Sequence, residues 1–368
     1  MPGIDRRVIQ NFEWPALGLG IAIALMGVAN LVSAAHDQGG VIPASALRQL
    51  AWLGAGLITL MIVLIPDYRS LERVTPALYS VGVLALIAVL FFAPIINGSQ
   101  RWLVFGPASL QPSEMMKLVI VLVFARILHR RPPNSEMGLF DLLGPGLLVA
   151  APVALVLRQP DLGTAMIIAI IAGTYVLLGR VRLQLLMWLT AIAIAGGTVA
   201  WTFYLHDYQK ERVFTFLDPE RDPLGTAYHA IQSQIAVGSG GMFGKGFTRG
   251  SQSQLDFLPE QQTDFVFSVL GEEWGFVGAT VVLVFYLALM MRGLMIARAS
   301  KDLYGAYIAL GVTSIFFWSG AINVGMVVGV LPVVGVPLPF FSRGGSSLVT
   351  CLGGIGLLMN VSMRRYVF

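Results

Sequence analysis

Leu258-Pro-Glu-Gln-Gln-Thr-Asp-Phe265 closes the one long polar stretch of an otherwise apolar chain. From His206 to Thr263, 58 residues carry 12 charges (7 acidic, 5 basic), against 32 in the remaining 310. Apolar runs long enough to cross a bilayer lie on both sides. A polar segment hung between two spans, returning an acid to the mouth of the next helix, is where chemistry is to be expected.

Outward from that segment the chain is uniformly greasy. Its 368 residues are 56% hydrophobic and 12% charged, with a mean hydropathy of +0.76. Soluble domains carry roughly twice that share of charge, about 25%. A bilayer core takes about 20 mostly apolar residues per helix. Such runs fall near 14–35, 46–65, 74–94, 109–128, 142–157, 161–178, 184–205, 264–292, 304–330 and 344–362. The expected fold is an all-α polytopic membrane protein of about ten transmembrane helices. It forms a single integral membrane domain over 1–368, with a large extracytoplasmic loop, about 206–263, between helices 7 and 8. The fifth and sixth runs, separated only by Arg158-Gln-Pro-Asp161, could instead form a re-entrant pair. No cleavable signal is expected, because the first run begins at Trp14 and is itself long enough to span.

Basic residues set the orientation. Counted over ten spans, 14 of the 24 Lys/Arg lie on one side, among them Arg69, Arg73, Arg126, Arg130, Arg298 and Arg364. The short loops opposite hold only Arg48, Arg101, Arg158 and Arg343. The rich side is cytoplasmic, so both termini lie inside and the 58-residue loop outside. The pI of 9.3 thus reflects topology, and no nucleic-acid partner is expected. The lone Cys351 excludes an intrachain disulfide, and no Cys/His metal spacing appears. Soluble nucleotide substrates are excluded outside the cell. The glycine-rich Gly238–Gly246 lacks the Gly and Ser/Thr positions of a phosphate loop and reads as a flexible turn at the membrane surface.

Several polar residues could carry chemistry. Glu114 and Lys117 share a helix face three residues apart, and either pair with each other or hold a lipid diphosphate. Asp256, Glu260 and Asp264 crowd three carboxylates into nine residues, which would raise at least one pKa and suits a general base. By position alone, Asp264 reads as a cap on the next helix more readily than as a catalyst. Glu272 and Glu273, about 12 Å further along at 1.5 Å per residue, read as helix-locking contacts two turns inside the eighth span. Arg101-Trp102 ends a tight outer turn, and Trp102 is either an interfacial anchor or a stacking platform beside a phosphate-binding Arg101.

Taken in order, these landmarks resemble the SEDS family of peptidoglycan glycosyltransferases, which includes RodA, FtsW and SpoVE. The matching stretches are Asn97–Trp102, Gln111–Lys117, Arg158–Thr164, Tyr208–Arg212, Gln232–Gln234, Leu258–Phe265, Gly271–Glu273 and Asn323–Ser347. Leu331–Pro339 is more similar to the RodA branch. The resemblance implies polymerisation of lipid II into β-1,4 glycan strands for cell elongation and rod shape. It implies location in the bacterial cytoplasmic membrane, and a class B penicillin-binding transpeptidase as partner. It places the catalytic acid at Asp264, with Arg101, Trp102, Glu114, Lys117, Arg212 and Arg343 as substrate-binding candidates. Asp256, Glu260, Glu272 and Glu273 are supporting candidates. A divalent cation, Mg or Mn, could share the phosphate work. Three positions depart from the family pattern: Gln262 where His is frequent, Trp274 where Leu is usual, and Arg343 where Tyr is common. Readings from other classes are a flippase for lipid-linked cell-wall precursors and a scaffold for a partner enzyme. Transporters often carry internal repeats, and none is evident here.

Overall fold

The structure is a computed structural model that describes residues 12–35, 43–95, 99–106, 108–132, 136–179, 182–204, 228–255 and 260–365, with a few isolated positions between. Arg212 and Asp256 lie outside the described residues. The chain forms α1 (Trp14–Ala34), α2 (Ala44–Leu64), α3 (Tyr68–Phe92) and a small antiparallel hairpin, β1 (Leu103–Phe105) with β2 (Ala108–Leu110). There follow α4 (Pro112–His129), α5 (Leu139–Arg158), α6 (Leu162–Leu178) and α7 (Leu183–Val199), the last ending in a π-helical turn. Beyond the polar segment come α8 (Tyr228–Ser239), the single turn α9 (Ser251–Gln254), α10 (Val266–Ala299), α11 (Leu303–Val327) and α12 (Gly345–Met363). Ten of these helices coincide with the ten apolar runs, and among the described residues seven are long and apolar enough to cross a membrane. The chain is an all-α polytopic membrane protein. The fifth and sixth runs are separate helices of 20 and 17 residues, α5 and α6, joined by the turn at Gln159–Asp161.

Local chemistry starts the helices. Asp67, Asp161 and Asp302 cap α3, α6 and α11 by accepting from the backbone N–H of Arg69, Thr164 and Gly305. Pro112 opens α4 at a position where no N–H is needed. The centre of the bundle is α12, which packs most extensively on α2 and also meets α11, α4, α10 and α1. Every residue of α12 from Ser346 to Met363 is buried, and many are Gly, Ser or Cys, which let backbones approach closely.

The eighth apolar run differs from expectation. It is not one continuous span from residue 264. Gly275 adopts φ 65° and ψ −163°, which breaks α10 into a first segment, Val266–Trp274, buried as far as Glu273, and a longer helix, Phe276–Ala299. The first segment runs beside the last turn of α1, where the Asn30 side-chain amide donates to the Val266 carbonyl (2.9 Å) and the Ser33 hydroxyl donates to Glu273 (2.5 Å). Glu272 and Glu273 therefore precede the long helix rather than lying two turns inside it.

The glycine-rich run makes this break possible, and it is not a loose turn. A Cβ on Gly240 would lie 2.0 Å from the Gly271 carbonyl oxygen, and one on Gly244 2.1 Å from that of Glu273. The N–H groups of Lys245 and Gly246 donate to the Glu272 and Glu273 carbonyls, and those of Phe276 and Val277 donate to Gly241 and Met242. The two strands of chain thus satisfy each other's backbone groups around the break, as burial requires.

Candidate active site

One cavity of about 400 Å³ opens where the β-hairpin, the α5–α6 turn, the approach to α10 and the loop before α12 meet. Arg101, Trp102, Glu114, Glu260, Asp264 and Arg343 all line it. Six expected site residues, scattered over more than 240 positions of sequence, therefore share one recess.

Asp264 is held by its backbone. The Asn323 side-chain amide donates to the Asp264 carbonyl (2.9 Å) and to that of Val336 (2.8 Å), tying the approach of α10 to the loop that follows α11. Just upstream, Glu260 adopts φ 52°, and the N–H groups of Thr263, Asp264 and Phe265 converge on its carbonyl. Such strained backbone clusters at functional sites. Phe265, not Asp264, stands at the N-cap position of α10, and its own side chain makes no capping hydrogen bond. The N-cap position open to Asp264 in the sequence is thus held by its neighbour. Gly335, at φ 72°, faces the carboxylate, and a Cβ there would come within 3.3 Å of Asp264 Oδ2. Only glycine gives both that backbone and that clearance.

Opposite stands Arg101. Its Nε donates to the Gln159 carbonyl (3.3 Å), its Nη2 to the Pro160 carbonyl, and Nη1 lies 3.9 Å from Asp161. The buried Asp161 in turn accepts from the Gln111 side chain (2.9 Å) while capping α6. Gln111, Asp161, Asn323 and Gly335 lay inside the matching sequence stretches, but nothing in their spacing revealed these roles. Their partners are 13 to 59 residues away in sequence, or further.

Glu114 lines the cavity, whereas Lys117 does not; it sits one turn along α4, paired to Glu114 at 2.8 Å. Both are buried, at 2% and 4% exposure, so each neutralises the other in a medium where a lone charge would be costly. Glu272 and Glu273 are remote from the cavity and lock helices. Glu272 pairs with Lys245 (2.6 Å) and accepts from the N–H groups of Gln252 and Ser253, and Glu273 accepts from Ser33.

Two of the three departures from the family pattern touch each other. The Arg343 N–H donates to the Gln262 carbonyl, and its Nη1 donates to Gln262 Oε1, both at 2.8 Å. A histidine at 262 could meet this cation only when uncharged, whereas Gln offers an acceptor at every pH. Trp274 is half-exposed and stands edge-on to Phe247, 6.3 Å between ring centroids, away from the cavity. Among the described residues no three His, Cys, Asp or Glu side chains are grouped as a metal site needs.

Fold and recess together define a polytopic membrane protein with one polar, two-signed cavity at an end of its bundle. Residues 14–367 match the family described as cell cycle protein FtsW/RodA/SpoVE, and the chain belongs to that family. It is 43% identical to the peptidoglycan glycosyltransferase MrdB of Escherichia coli strain K12, over 86% of this chain and 85% of that one. Among solved structures it is similar to a chain of a peptidoglycan synthase complex that coordinates polymerization and crosslinking, with TM-score 0.82, 35% identity, and 96% and 98% of the two chains covered. It is also similar to the rod shape determining protein RodA of Thermus thermophilus, with TM-score 0.71, 31% identity and the same coverage.

Proposed function

We propose that this peptidoglycan glycosyltransferase polymerises lipid II in the cavity around Asp264, with that carboxylate as general base. The observation that carries the reading is the juxtaposition of Asp264 with the arginines 101 and 343 and with Trp102 in one recess. The donor sugar carries a lipid diphosphate, which leaves without a protein acid. Asp264 takes the proton of the acceptor 4-hydroxyl as its oxygen bonds to the donor anomeric carbon and the bond to the diphosphate oxygen breaks. Attack opposite the leaving group inverts an α-linked donor to a β-1,4 product, by analogy with inverting glycosidases. Arg101 and Arg343 face the departing diphosphate as fixed cations, the kind of preorganised charge that stabilises a transition state. Glu114 neutralises Lys117 and borders the same space, and Trp102 offers a face for a sugar ring. Arg212 is a further candidate on the polar segment.

The cavity faces the outside of the cytoplasmic membrane in this reading, and both termini lie in the cytoplasm. A class B penicillin-binding transpeptidase is the expected partner, because the solved synthase complex couples polymerization to crosslinking. The role is in cell elongation.

The test is glycan polymer formed from lipid II by purified protein, with its melting temperature measured alongside. Asp264→Asn keeps side-chain shape and removes the base, an assistance worth roughly 10²–10⁴-fold in rate. Its melting temperature stays near the wild-type value, since Asn accepts hydrogen bonds at a helix start as Asp does, and Phe265 holds the N-cap position of α10. Near-normal polymer from this variant overturns the assignment.

A further inference from the structure

At the end of the bundle remote from the cavity, a lateral groove of about 350 Å³ runs between α3, α4 and α5. Val123, Arg126, Ile127 and Arg130 form one stripe of α4 along it, at the i, i+3, i+4, i+7 spacing of a single helix face. Arg126 lies about 18 Å along α4 from Glu114 at 1.5 Å per residue, so this groove and the cavity are separate. Pro76 and Tyr79 of α3 and Leu148 of α5 complete the walls.

Among the described residues, the polar groups of the walls are already committed, apart from Arg126 and the exposed Ser80. The Tyr79 hydroxyl donates to the Leu148 carbonyl (2.9 Å), and Thr75 donates to Leu71 (2.6 Å). Glu72 accepts from Arg130 at 2.6 Å and lies 3.2 Å from His129. Arg126 is half-buried and, among the described residues, has no carboxylate partner. A guanidinium inside an apolar groove of a membrane helix requires an anion or a route to water. With Glu72 shared by two basic side chains, the groove carries net positive charge.

We infer that this groove binds one anionic phospholipid, its phosphate on Arg126 and an acyl chain along Val123, Ile127 and Leu148. Charge complementarity selects the headgroup, because planar guanidinium matches phosphate oxygens two at a time. Basic recesses between membrane helices are suited to such headgroups. The apolar walls distinguish a lipid from a free anion.

The full-length protein, purified and titrated with dioleoyl phosphatidylglycerol or dioleoyl phosphatidylcholine, is read by native mass spectrometry. Wild-type protein binds the anionic lipid in preference to the zwitterionic one. Arg126→Gln weakens phosphatidylglycerol binding about fivefold, the effect of one cation near the headgroup, and removes the preference. Leu148→Trp fills the groove without changing charge and weakens both lipids. Arg298→Gln, an exposed arginine outside the groove, leaves binding unchanged. Retention of the preference in Arg126→Gln overturns the site, as does competition by inorganic phosphate alone at the affinity of the lipid. Should Arg126→Gln fail to fold, wild-type lipid affinity in Leu148→Trp overturns it instead.

Discussion

The helices α12 and α5 are nearly equal in length, and both are apolar, yet they occupy opposite environments. All of α12 but its first residue is buried, whereas α5 buries only Leu142, Pro152 and Val156 of its 20 residues. The buried helix is the one richer in Gly, Ser and Asn, and the lipid-facing helix is the one richer in Leu, Val and Ala. In a bilayer, tails already solvate apolar side chains, so hydrophobicity alone brings no helix inward. Close backbone approach and hydrogen bonds do. The polar cavity sits against this small, hydrogen-bonded centre, and the lipid-facing helices wrap it.

Substitutions that trade one environment for the other test that division. Asn323→Leu makes a central position as apolar as α5 and strips a donor from the Asp264 and Val336 carbonyls. An unsatisfied buried polar group costs about 1–3 kcal/mol, so the melting temperature falls, and polymer synthesis falls further because the base loses its anchor. Unchanged activity at a lowered melting temperature would separate the anchor from the chemistry. Gly27→Val places a Cβ 2.6 Å from the Phe341 carbonyl oxygen, against a backbone that cannot turn aside, whereas Gly146 of α5 has nothing within 4 Å. Overpacking costs about 1–3 kcal/mol, so Gly27→Val is strongly destabilised and Gly146→Val is near wild type in the same melting assay. Equal effects would erase the distinction between centre and rim.

Smaller effects belong to the ends of the bundle. Burial raises the Asp302 carboxyl, but hydrogen bonds from Tyr68, the Gly305 N–H and Arg69 outweigh it and hold the group below its ordinary value of 3.8. Its contribution is therefore present above that value and is lost as pH falls through the lower, folded one. Wild-type protein should lose more stability than Asp302→Asn when melting temperatures are compared from pH 5 down into that acid range. Smallest is the Gln262–Arg343 contact at the exposed mouth. A double-mutant cycle with Gln262→Ala and Arg343→Ala should return a coupling of about 0.2–1 kcal/mol. Arg343→Ala alone should slow polymerisation if the arginine faces the diphosphate.

Sequence made the helices legible because a membrane imposes one length and one composition on every span. The run at 14–35 became Trp14–Ala34, and the run at 344–362 became Gly345–Met363. It also made five charged residues of the cavity legible, because a greasy chain does not carry charge without reason, and Trp102 by its place beside Arg101. The break at Gly275 was hidden because Phe276 and Val277 continue the apolar run, and composition does not register a change of direction. Its cause lies 31 to 35 residues upstream, in Gly240 and Gly244, whose meaning exists only in contact. Glu272 and Glu273 read as helix-locking contacts, but the position of Lys117 outside the cavity was unreadable, since a buried charge looks the same whether it serves a neighbour or a substrate.

The brevity of α6 has a mechanical consequence. Its 17 residues rise about 26 Å at 1.5 Å each, short of a hydrocarbon core of about 30 Å. Its first turn, capped by Asp161, forms part of the cavity wall. Were its other end seated at the far interface, the cavity floor would lie a few ångströms below the near boundary of the hydrocarbon. The recess would then be a dent in the insulating barrier, bringing water and fixed charge down to the depth of the first carbons of a lipid tail. A headgroup entering it from the side need not be lifted out of the membrane.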